Sequence, residues 1–268
     1  KIYWNTFAIG RLTPGKDYLN PKFELIVDEI LEQNQKQKLI FFIEKWLKTK
    51  IETVLKSLID LKNLKEKNSS IKALSYQLYE NNGVIKREQV SEYLKNLEQN
   101  ERKILRELGV KFGRYHVFLY RLIKPDAVSL RTLLWKNYHQ KYFELKPPTF
   151  GLNFLDDKNF KNKSFMLLCG FEKFENFFVR IDILERLFIK IMDLSKEKER
   201  EIKLIPEMLN LLGCGKEDFL KLIKKMNYSY FSKNEDTYFK YIPSKSNKKQ
   251  FSTKVIKKEN PFSILKNI

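Results

Sequence analysis

The stretch from Leu108 to Pro125, LGVKFGRYHVFLYRLIKP, is the part of this sequence that most restricts its fold. Its two glycines separate short apolar segments, and the pair Gly113-Arg114 suits a two-residue hairpin turn of type II′ with glycine first. The run Phe118–Ile123 is apolar apart from one arginine, so we expect it to be buried. A proline at the end of the stretch fits the first turn of a helix. The pattern predicts a hairpin, a buried run and the start of a new helix.

Segments on both sides of this stretch show the spacing of amphipathic helices, with apolar residues at i, i+3, i+4 and i+7. The predicted helices are Phe23–Leu31, Leu39–Leu64, Ile71–Tyr79, Glu88–Leu108, Pro125 to Gln140, and Arg180–Leu194. The apolar run Ser164–Gly170 is typical of a strand instead, and Phe177–Arg180 is a second strand candidate. Helices therefore dominate the predicted structure.

The segment from Pro206 to Tyr241 has a different and more compact pattern. A helix over Pro206–Leu212, a turn over Gly213–Gly215 and a helix over Lys216–Met226 are followed by two short aromatic strands. Helix, turn, helix and hairpin is the layout of a winged helix-turn-helix. Any helical hairpin followed by a β-ribbon would give the same pattern, so both interpretations stay open.

Together these patterns predict a mainly α protein, a helical bundle with a short β-hairpin followed by a small α+β winged-helix-like region. Pro147 and Pro148 mark the strongest internal boundary because both prolines exclude helix. We divide the chain into an extended N-terminal segment (1–22), a helical domain with an embedded hairpin (23–146), a winged-helix-like domain (147–242) and a flexible basic tail (243–268).

The chain has a large excess of positive charge, since 52 Lys and Arg against 33 Asp and Glu give a formal net charge of +19. Such an excess favours an anionic partner, above all nucleic acid. Compositional bias of the coding genome would give the same excess, and this alternative stays open. The two cysteines, Cys169 and Cys214, form no CxxC pair, which excludes a disulfide framework or a thiolate zinc site and fits the cytoplasm. No apolar run reaches the ~18 residues of a membrane span, so we expect no membrane partner.

The segment Gly213–Lys216 resembles part of a phosphate-binding loop but fails its requirements. A Walker A loop needs a glycine five residues before its last glycine and a Ser or Thr after the lysine. Asn210 and Glu217 occupy those two positions. We therefore predict no catalytic residue, no metal ligand and no cofactor site in this chain, and we leave open whether it is part of an enzyme.

Basic residues with aromatic neighbours are better candidates for function. Lys and Arg side chains hold phosphates, and exposed aromatic rings stack on unpaired bases. The predicted nucleic-acid-binding residues are Lys111, Arg114, Arg121, Lys124, Arg131, Lys221, Lys224 and Lys225. In a competing interpretation the nearby rings belong to the core and only the charges face solvent, which we favour for Phe112 and Trp135 and leave open for Tyr115.

Several blocks of this sequence match a pattern that lies behind the motor of certain helicases. They are Leu108–Gly113 (LGVKFG), Lys124-Pro125, Leu133–Trp135 (LLW), Val179–Leu187 and Leu211–Cys214. On these residues the chain resembles, over most of positions 1–242, the C-terminal accessory region of superfamily 2 ATP-dependent RNA helicases. The subgroup that it resembles is the mitochondrial degradosome type with its bacterial relatives.

The resemblance implies a role beside a motor that these 268 residues do not contain, because they lack the phosphate-binding lysine loop, the acidic magnesium motif and the arginine fingers. ATP and Mg would belong to the parent protein, an RNA helicase that hydrolyses ATP. The expected partners are the upstream motor domains and single-stranded RNA or an RNA/DNA hybrid. The alternative is a helical protein–protein interaction module with no nucleic-acid role, and the oligomeric state stays open.

Overall fold

The computed structural model describes residues 1–26, 31–65, 68–159, 162–197 and 201–242. Its helices are α1 Gln33–Val54, α2 Lys56–Lys62, α3 Ser69–Glu80, α4 Ser91–Asn96, α5 Gln99–Glu107, α6 Pro125–His139, α7 Lys163–Leu168, α8 Ile181–Glu197, α9 Pro206–Leu212 and α10 Lys216–Lys225. Its strands are β1 Ile2–Trp4, β2 Phe7–Thr13, β3 Lys22–Leu25, β4 Val84–Lys86, β5 Val110–Phe112, β6 His116–Leu119, β7 Phe154–Asp156, β8 Phe171–Phe174, β9 Phe177–Arg180, β10 Glu201–Lys203, β11 Tyr228–Lys233 and β12 Asp236–Tyr241. The predicted basic tail, 243–268, lies outside the described residues.

The prediction of a mainly α protein is wrong, because the strands form four three-stranded antiparallel sheets and the fold is α+β. Most strands contain only three or four residues, which is too short for an alternating pattern to stand out. Their partners are also distant in sequence, since β4 pairs with β6 across two intervening helices. The sequence pattern therefore underestimated the sheets.

Two segments have the opposite structure to the one that the sequence predicts. Lys22–Leu25 is strand β3, at the start of the predicted helix Phe23–Leu31, part of which lies outside the described residues. Lys163–Leu168 is the helix α7, which overlaps most of the predicted strand Ser164–Gly170. The side chain of Asn162 accepts a hydrogen bond from a backbone N–H in the first turn of α7 and so favours a helix start there.

Three of the four sheets share one plan. Their strand orders are β4-β6-β5, β7-β9-β8 and β10-β12-β11, so the strand that comes last in sequence lies in the middle each time. A helix precedes each first strand, and further helical turns connect that strand to the hairpin formed by the other two. This order of elements is that of a winged helix-turn-helix. We call the three repeats unit A (69–119), unit B (125–180) and unit C (181–241).

Units A and C contain a pair of helices before the hairpin, whereas unit B is reduced. The pairs are α4 with α5 in unit A and α9 with α10 in unit C. In the described residues of unit B, a 3₁₀ turn, Asp157–Asn159, and the six-residue α7 take their place. The predicted single helix Glu88–Leu108 is divided because Glu98 and Glu101 form a capping box that starts α5. The helix pair of unit A was therefore hidden in the sequence.

Separate hydrophobic clusters stabilise the two ends of the described chain. The first cluster joins α1–α5 to the sheet of unit A and includes the fully buried Leu74 and Val117. The second joins α8–α10 to the sheet of unit C around Phe219 and Phe239. Strands β1–β3 form the remaining sheet, and β3 packs against α1. Within the described ranges, no helix is long and apolar enough to cross a membrane.

Candidate nucleic-acid interface

The turn between β5 and β6 holds a carboxylate from a distant helix. Glu185 of α8 accepts hydrogen bonds from three consecutive backbone N–H groups, those of residues 114–116, at 2.5, 2.8 and 2.9 Å. A Cβ atom on Gly113 would lie 2.3 Å from the carboxyl carbon of Glu185, so glycine is required by this close approach. The connection has three residues, 113–115, rather than the two of the predicted type II′ turn. This turn therefore attaches unit A to unit C.

Beneath the turn lies a cluster of charged side chains drawn from all three units, in which His116, Glu172 and Glu185 are buried and Lys86 is exposed. His116 of unit A places Nε2 3.0 Å from Oε2 of Glu172 in unit B, and Lys86 places Nζ 3.0 Å from the other oxygen of Glu172. Nδ1 of His116 lies 3.7 Å from Glu185 of unit C, beyond hydrogen-bond distance. The cluster thus pairs two buried carboxylates with a lysine and a histidine.

The pKa values in this cluster follow from burial and from the neighbouring charges. Burial opposes a charge on His116, but the hydrogen bond to Glu172 and the negative charges of Glu172 and Glu185 outweigh it and raise the pKa of the imidazole. Burial works against ionisation of Glu172 as well, yet His116 and Lys86 hold its pKa below the usual value. Both shifts favour the ionised pair, so the opposite charges of this cluster attract each other across the contact between the units. In the described residues, no group of three or more His, Cys, Asp or Glu is placed to hold a metal ion.

Two open cavities flank the turn where unit A meets unit C. The polar cleft, about 410 Å³ in volume, is lined by Lys86, Arg87, Arg114, Asn227 and Tyr241 among others. The aromatic cleft, about 400 Å³, is lined by Arg114, Phe188, Met192, Ile202, Tyr228 and Tyr241. Both volumes fall in the range of small-molecule sites. Arg114 and Tyr241 belong to both clefts, so they separate the two cavities.

Arg114 is the predicted site residue that lies at these clefts. It is exposed, and its guanidinium carbon lies 5.5 Å from the centre of the Phe188 ring. In the described part of the chain, no carboxylate lies within ion-pair distance of this guanidinium. Tyr115 is half-buried and packs edge-on against the same ring at 5.4 Å, which raises its pKa through burial. Tyr115 is therefore a packing residue, and Arg114 is the group open to a ligand.

Two other predicted groups lie elsewhere on the surface. Lys111 is exposed on β5, and because side chains alternate along a strand it faces away from Phe112. Arg121 and Lys124 are exposed before and at the start of α6, and Lys124 donates to the hydroxyl of Tyr120 at 3.0 Å. No hydrogen bond or ion pair between described residues connects this pair to the turn at 113–115. The structure therefore spreads these basic residues over separate surfaces.

Arg131, also predicted to contact nucleic acid, is fully buried. Its guanidinium donates to the backbone carbonyls of Asn82, Leu122 and Leu168 at 2.5, 2.6 and 2.9 Å. Burial lowers its pKa to about 10, so it stays charged at neutral pH. A side chain with no exposed surface cannot reach a phosphate, and Arg131 instead joins the end of α3 to unit B.

The lysines of α10 are exposed as predicted, but two of them are paired with acids. Lys221 lies 3.0 Å from Asp218 on the same helix, and Lys225 lies 2.7 Å from Glu175 in the β8–β9 turn. Lys224 has no ion pair among the described residues. The second helix of unit C therefore has a basic surface that is partly neutralised.

Sequence reasoning missed the equivalent surface of unit A. Arg102 and Arg106 of α5 place their guanidinium carbons 6.0 and 5.6 Å from the centre of the Phe112 ring. Lys103 lies exposed between them. The segment ERKILRE contains the signal, two arginines at i and i+4, but its helical periodicity predicts the end of one long helix. Once α4 and α5 are separate, α5 holds the same position in unit A as α10 holds in unit C.

Comparison with known proteins adds no family. No family model, no curated protein and no solved structure matches this chain. Its function must be inferred from the repeated units, the basic helices and the clefts described above, together with the helicase-like blocks of the sequence.

Proposed function

We propose that this chain is a nucleic-acid-binding accessory region, with single-stranded RNA as its ligand. The supporting observation is that two units place a basic helix second in a helix-turn-helix. The exposed or half-exposed cations are Arg102, Lys103 and Arg106 on α5, and Lys221, Lys224 and Lys225 on α10. The second helix of a helix-turn-helix is the one that contacts nucleic acid in proteins built on this motif.

The ring of Phe112 strengthens the case for α5. It packs under two guanidinium groups, which limits their freedom without neutralising them. The guanidinium of Arg102 also donates to the backbone carbonyls of Leu94 and Leu97, so Arg106 is the more accessible of the two. Arg and Lys side chains that contact phosphates release counterions, and this supplies much of the affinity for nucleic acid. The net charge of +19 acts in the same direction over the whole chain.

We further propose that the chain acts beside the motor of an ATP-dependent RNA helicase, on the strength of the sequence resemblance. ATP and Mg would be bound by that motor, and this chain would guide the RNA strand, or one strand of an RNA/DNA hybrid, as it leaves. The cytoplasm is the proposed compartment, since Cys169 and Cys214 are unpaired thiols.

Salt-dependent binding is the first test of this proposal. Fluorescence anisotropy with a labelled single-stranded RNA should show affinity falling by about two to three orders of magnitude between ~50 and ~200 mM salt for about six phosphate contacts. Replacing Lys103 and Arg106 with Glu should weaken binding, whereas the same change at the exposed Lys45 and Lys50 of α1 should not. Absent or salt-independent binding would exclude the nucleic-acid role.

A protein–protein interaction module is the second candidate, and one observation favours it. The β1–β2 hairpin exposes three aromatic side chains, with Tyr3 and Trp4 each 58% exposed and Phe7 75% exposed. Exposed aromatic residues in one hairpin are typical of protein contacts. This function would be favoured if the chain binds no RNA and if a partner protein stays bound to the chain after nuclease treatment.

A further inference from the structure

We propose that the aromatic cleft between units A and C holds one unstacked nucleobase of a single-stranded nucleic acid, with Arg114 binding the adjoining phosphate. This inference rests on the proposed nucleic-acid binding and assigns a ligand group to a specific cavity. It goes further because it names the residues that would distinguish a single strand from a duplex.

The cleft has a shape and lining suited to a base. Phe188, Ile202 and Tyr228 are buried residues that line it, and Tyr241, 41% exposed, forms an accessible wall. The volume of about 400 Å³ is large enough for one nucleotide-sized group. Bases gain binding energy by stacking on aromatic rings, and this does not depend strongly on sequence because every base has a π-face.

The charges around the cleft suit a phosphate next to that base. Lys86 is already paired with Glu172, and Arg87 donates to the carbonyl of Gly113 at 2.8 Å. Arg114 differs, because its guanidinium lies over the Phe188 ring and has no ion pair or side-chain hydrogen bond among the described residues. It stands on the boundary of both clefts, so a phosphate bound there could follow a base placed in the aromatic cleft.

The turn that carries Arg114 is fixed before any ligand binds. Three backbone N–H groups of residues 114–116 donate to Glu185, so the backbone of Arg114 cannot move away without breaking this contact. The backbone of this turn therefore loses little conformational entropy on binding. The cleft lies between two units and its volume suits one base. Bases in a duplex are stacked and paired, so we expect the site to select single strands.

Binding of a ten-residue oligouridylate, compared with an abasic polymer of the same length and charge, tests this inference. Tyr241→Ala should weaken oligouridylate binding about tenfold, since stacking on one ring contributes about five- to hundredfold in affinity. The abasic polymer should bind the wild-type chain more weakly and should bind Tyr241→Ala as well as wild type. Arg114→Ala should weaken binding of both polymers, because both contain phosphates.

Matched variants separate stacking from damage to the fold. Tyr241→Phe should bind like wild type, and Tyr241→Leu, which keeps apolar packing against Tyr228, should bind like Tyr241→Ala. Tyr230→Ala removes a ring that is 48% exposed on the same sheet but does not line the cleft, and it should have no effect. Thermal unfolding of each variant checks that the sheet remains intact.

Two results would overturn the inference in distinguishable ways. If oligouridylate binds wild type and both Tyr241→Ala and Tyr241→Leu equally well, the aromatic cleft holds no base while the proposed function stands. If the wild-type chain binds neither polymer at low salt, the proposed function fails and the cleft has no nucleic-acid ligand.

Discussion

Units A and C have the same order of elements but hold their cations differently. In unit A, Arg102 and Arg106 of α5 lie against an aromatic ring, with no carboxylate in ion-pair distance among the described residues. In unit C, Lys221 and Lys225 of α10 are each paired with an acid. An anion can bind Arg106 directly, whereas Arg102 already donates to the backbone carbonyls of Leu94 and Leu97. At α10 an anion must displace a carboxylate from each of the two paired lysines. The same topology therefore carries two basic surfaces that differ in how readily they bind an anion.

The two surfaces should differ only modestly in their free energy of RNA binding, and the difference favours α5. Exposed ion pairs of the kind seen on α10 contribute about 0–1 kcal/mol, so they reduce phosphate binding without preventing it. The aromatic ring beneath α5 neutralises no charge, and Arg106 is exposed, whereas Arg102 is half-buried and donates to the carbonyls of Leu94 and Leu97. We therefore expect α5 to be the stronger contact, although α10 has the more obvious lysine pattern in the sequence.

The largest expected effect comes from breaking the contact between the two units. Glu185→Gln should lower the free energy of unfolding by about 2–4 kcal/mol, because an amide places N–H groups where three backbone donors need an acceptor. Urea denaturation measures this loss. Glu175→Gln, at an exposed glutamate, is the matched control and should change stability little. Equal stability of the two variants would mean that Glu185 does not secure the junction.

Arg131 should affect stability and not RNA binding. Arg131→Met leaves three buried backbone carbonyls without a donor and should lower the free energy of unfolding by about 2–3 kcal/mol. At temperatures where the variant is folded, its affinity for RNA should equal that of wild type. A specific loss of RNA affinity in the folded variant would contradict the structural role given to this arginine.

The comparison of α5 with α10 is tested directly by matched charge reversals. Lys103→Glu with Arg106→Glu should lower RNA affinity by about tenfold or more at ~100 mM salt, and Lys221→Glu with Lys225→Glu by about threefold. The second pair has the smaller effect because each lysine is already paired. Anisotropy titrations over a salt series measure both. A larger effect at α10 would reverse the ranking of the two units.

The smallest expected effect is a dependence of stability on pH at the cluster around His116. The pKa of His116 is raised above its unfolded value of 6.5, so protonation stabilises the folded state below that pH, and this is lost as the pH rises through the raised pKa. The lowered pKa of Glu172 contributes stability above about pH 4.5 that is lost as the pH falls through the folded pKa.

The contribution of the His116–Glu172 pair to the free energy of unfolding should therefore be largest between about pH 4.5 and 6.5. Urea midpoints at pH 6 and pH 8 measure the upper limit of this window. His116→Gln should remove most of the difference between the two pH values, and His139→Gln, which changes the other histidine, should preserve it. A wild-type chain whose midpoint is the same at both pH values would exclude a protonated His116.

The helix pair of unit C could be predicted from sequence, whereas the helix pair of unit A could not, and the reason is physical. The glycine turn between α9 and α10 is visible in the sequence, and Gly213 has the positive φ of 72° that favours glycine. The break between α4 and α5 contains no glycine or proline, only the capping box at Glu98, so helical periodicity continues across it. A helix pair can therefore be predicted from sequence where a glycine marks the turn, and it is missed where only a capping box does.

The candidate site depends on contacts that no local pattern records. His116 and Glu172 are 56 positions apart, and the turn at Arg114 meets Glu185 across 71 positions. The exposure of Arg114 and the burial of Arg131 likewise depend on which units pack above each side chain. The sequence could nominate both arginines as candidates, but only the assembled units separate a possible ligand contact from a structural one.

The attachment of the turn to Glu185 has a consequence for how opening of the molecule can be observed. The amide hydrogens of residues 114–116 are bound to a helix that begins beyond the whole of unit B. They can exchange with solvent deuterium only when unit A separates from that helix, or when the chain unfolds more widely. The exchange rate of these three adjacent amides therefore measures how often units A and C separate. It would give the free energy of that opening without any added label.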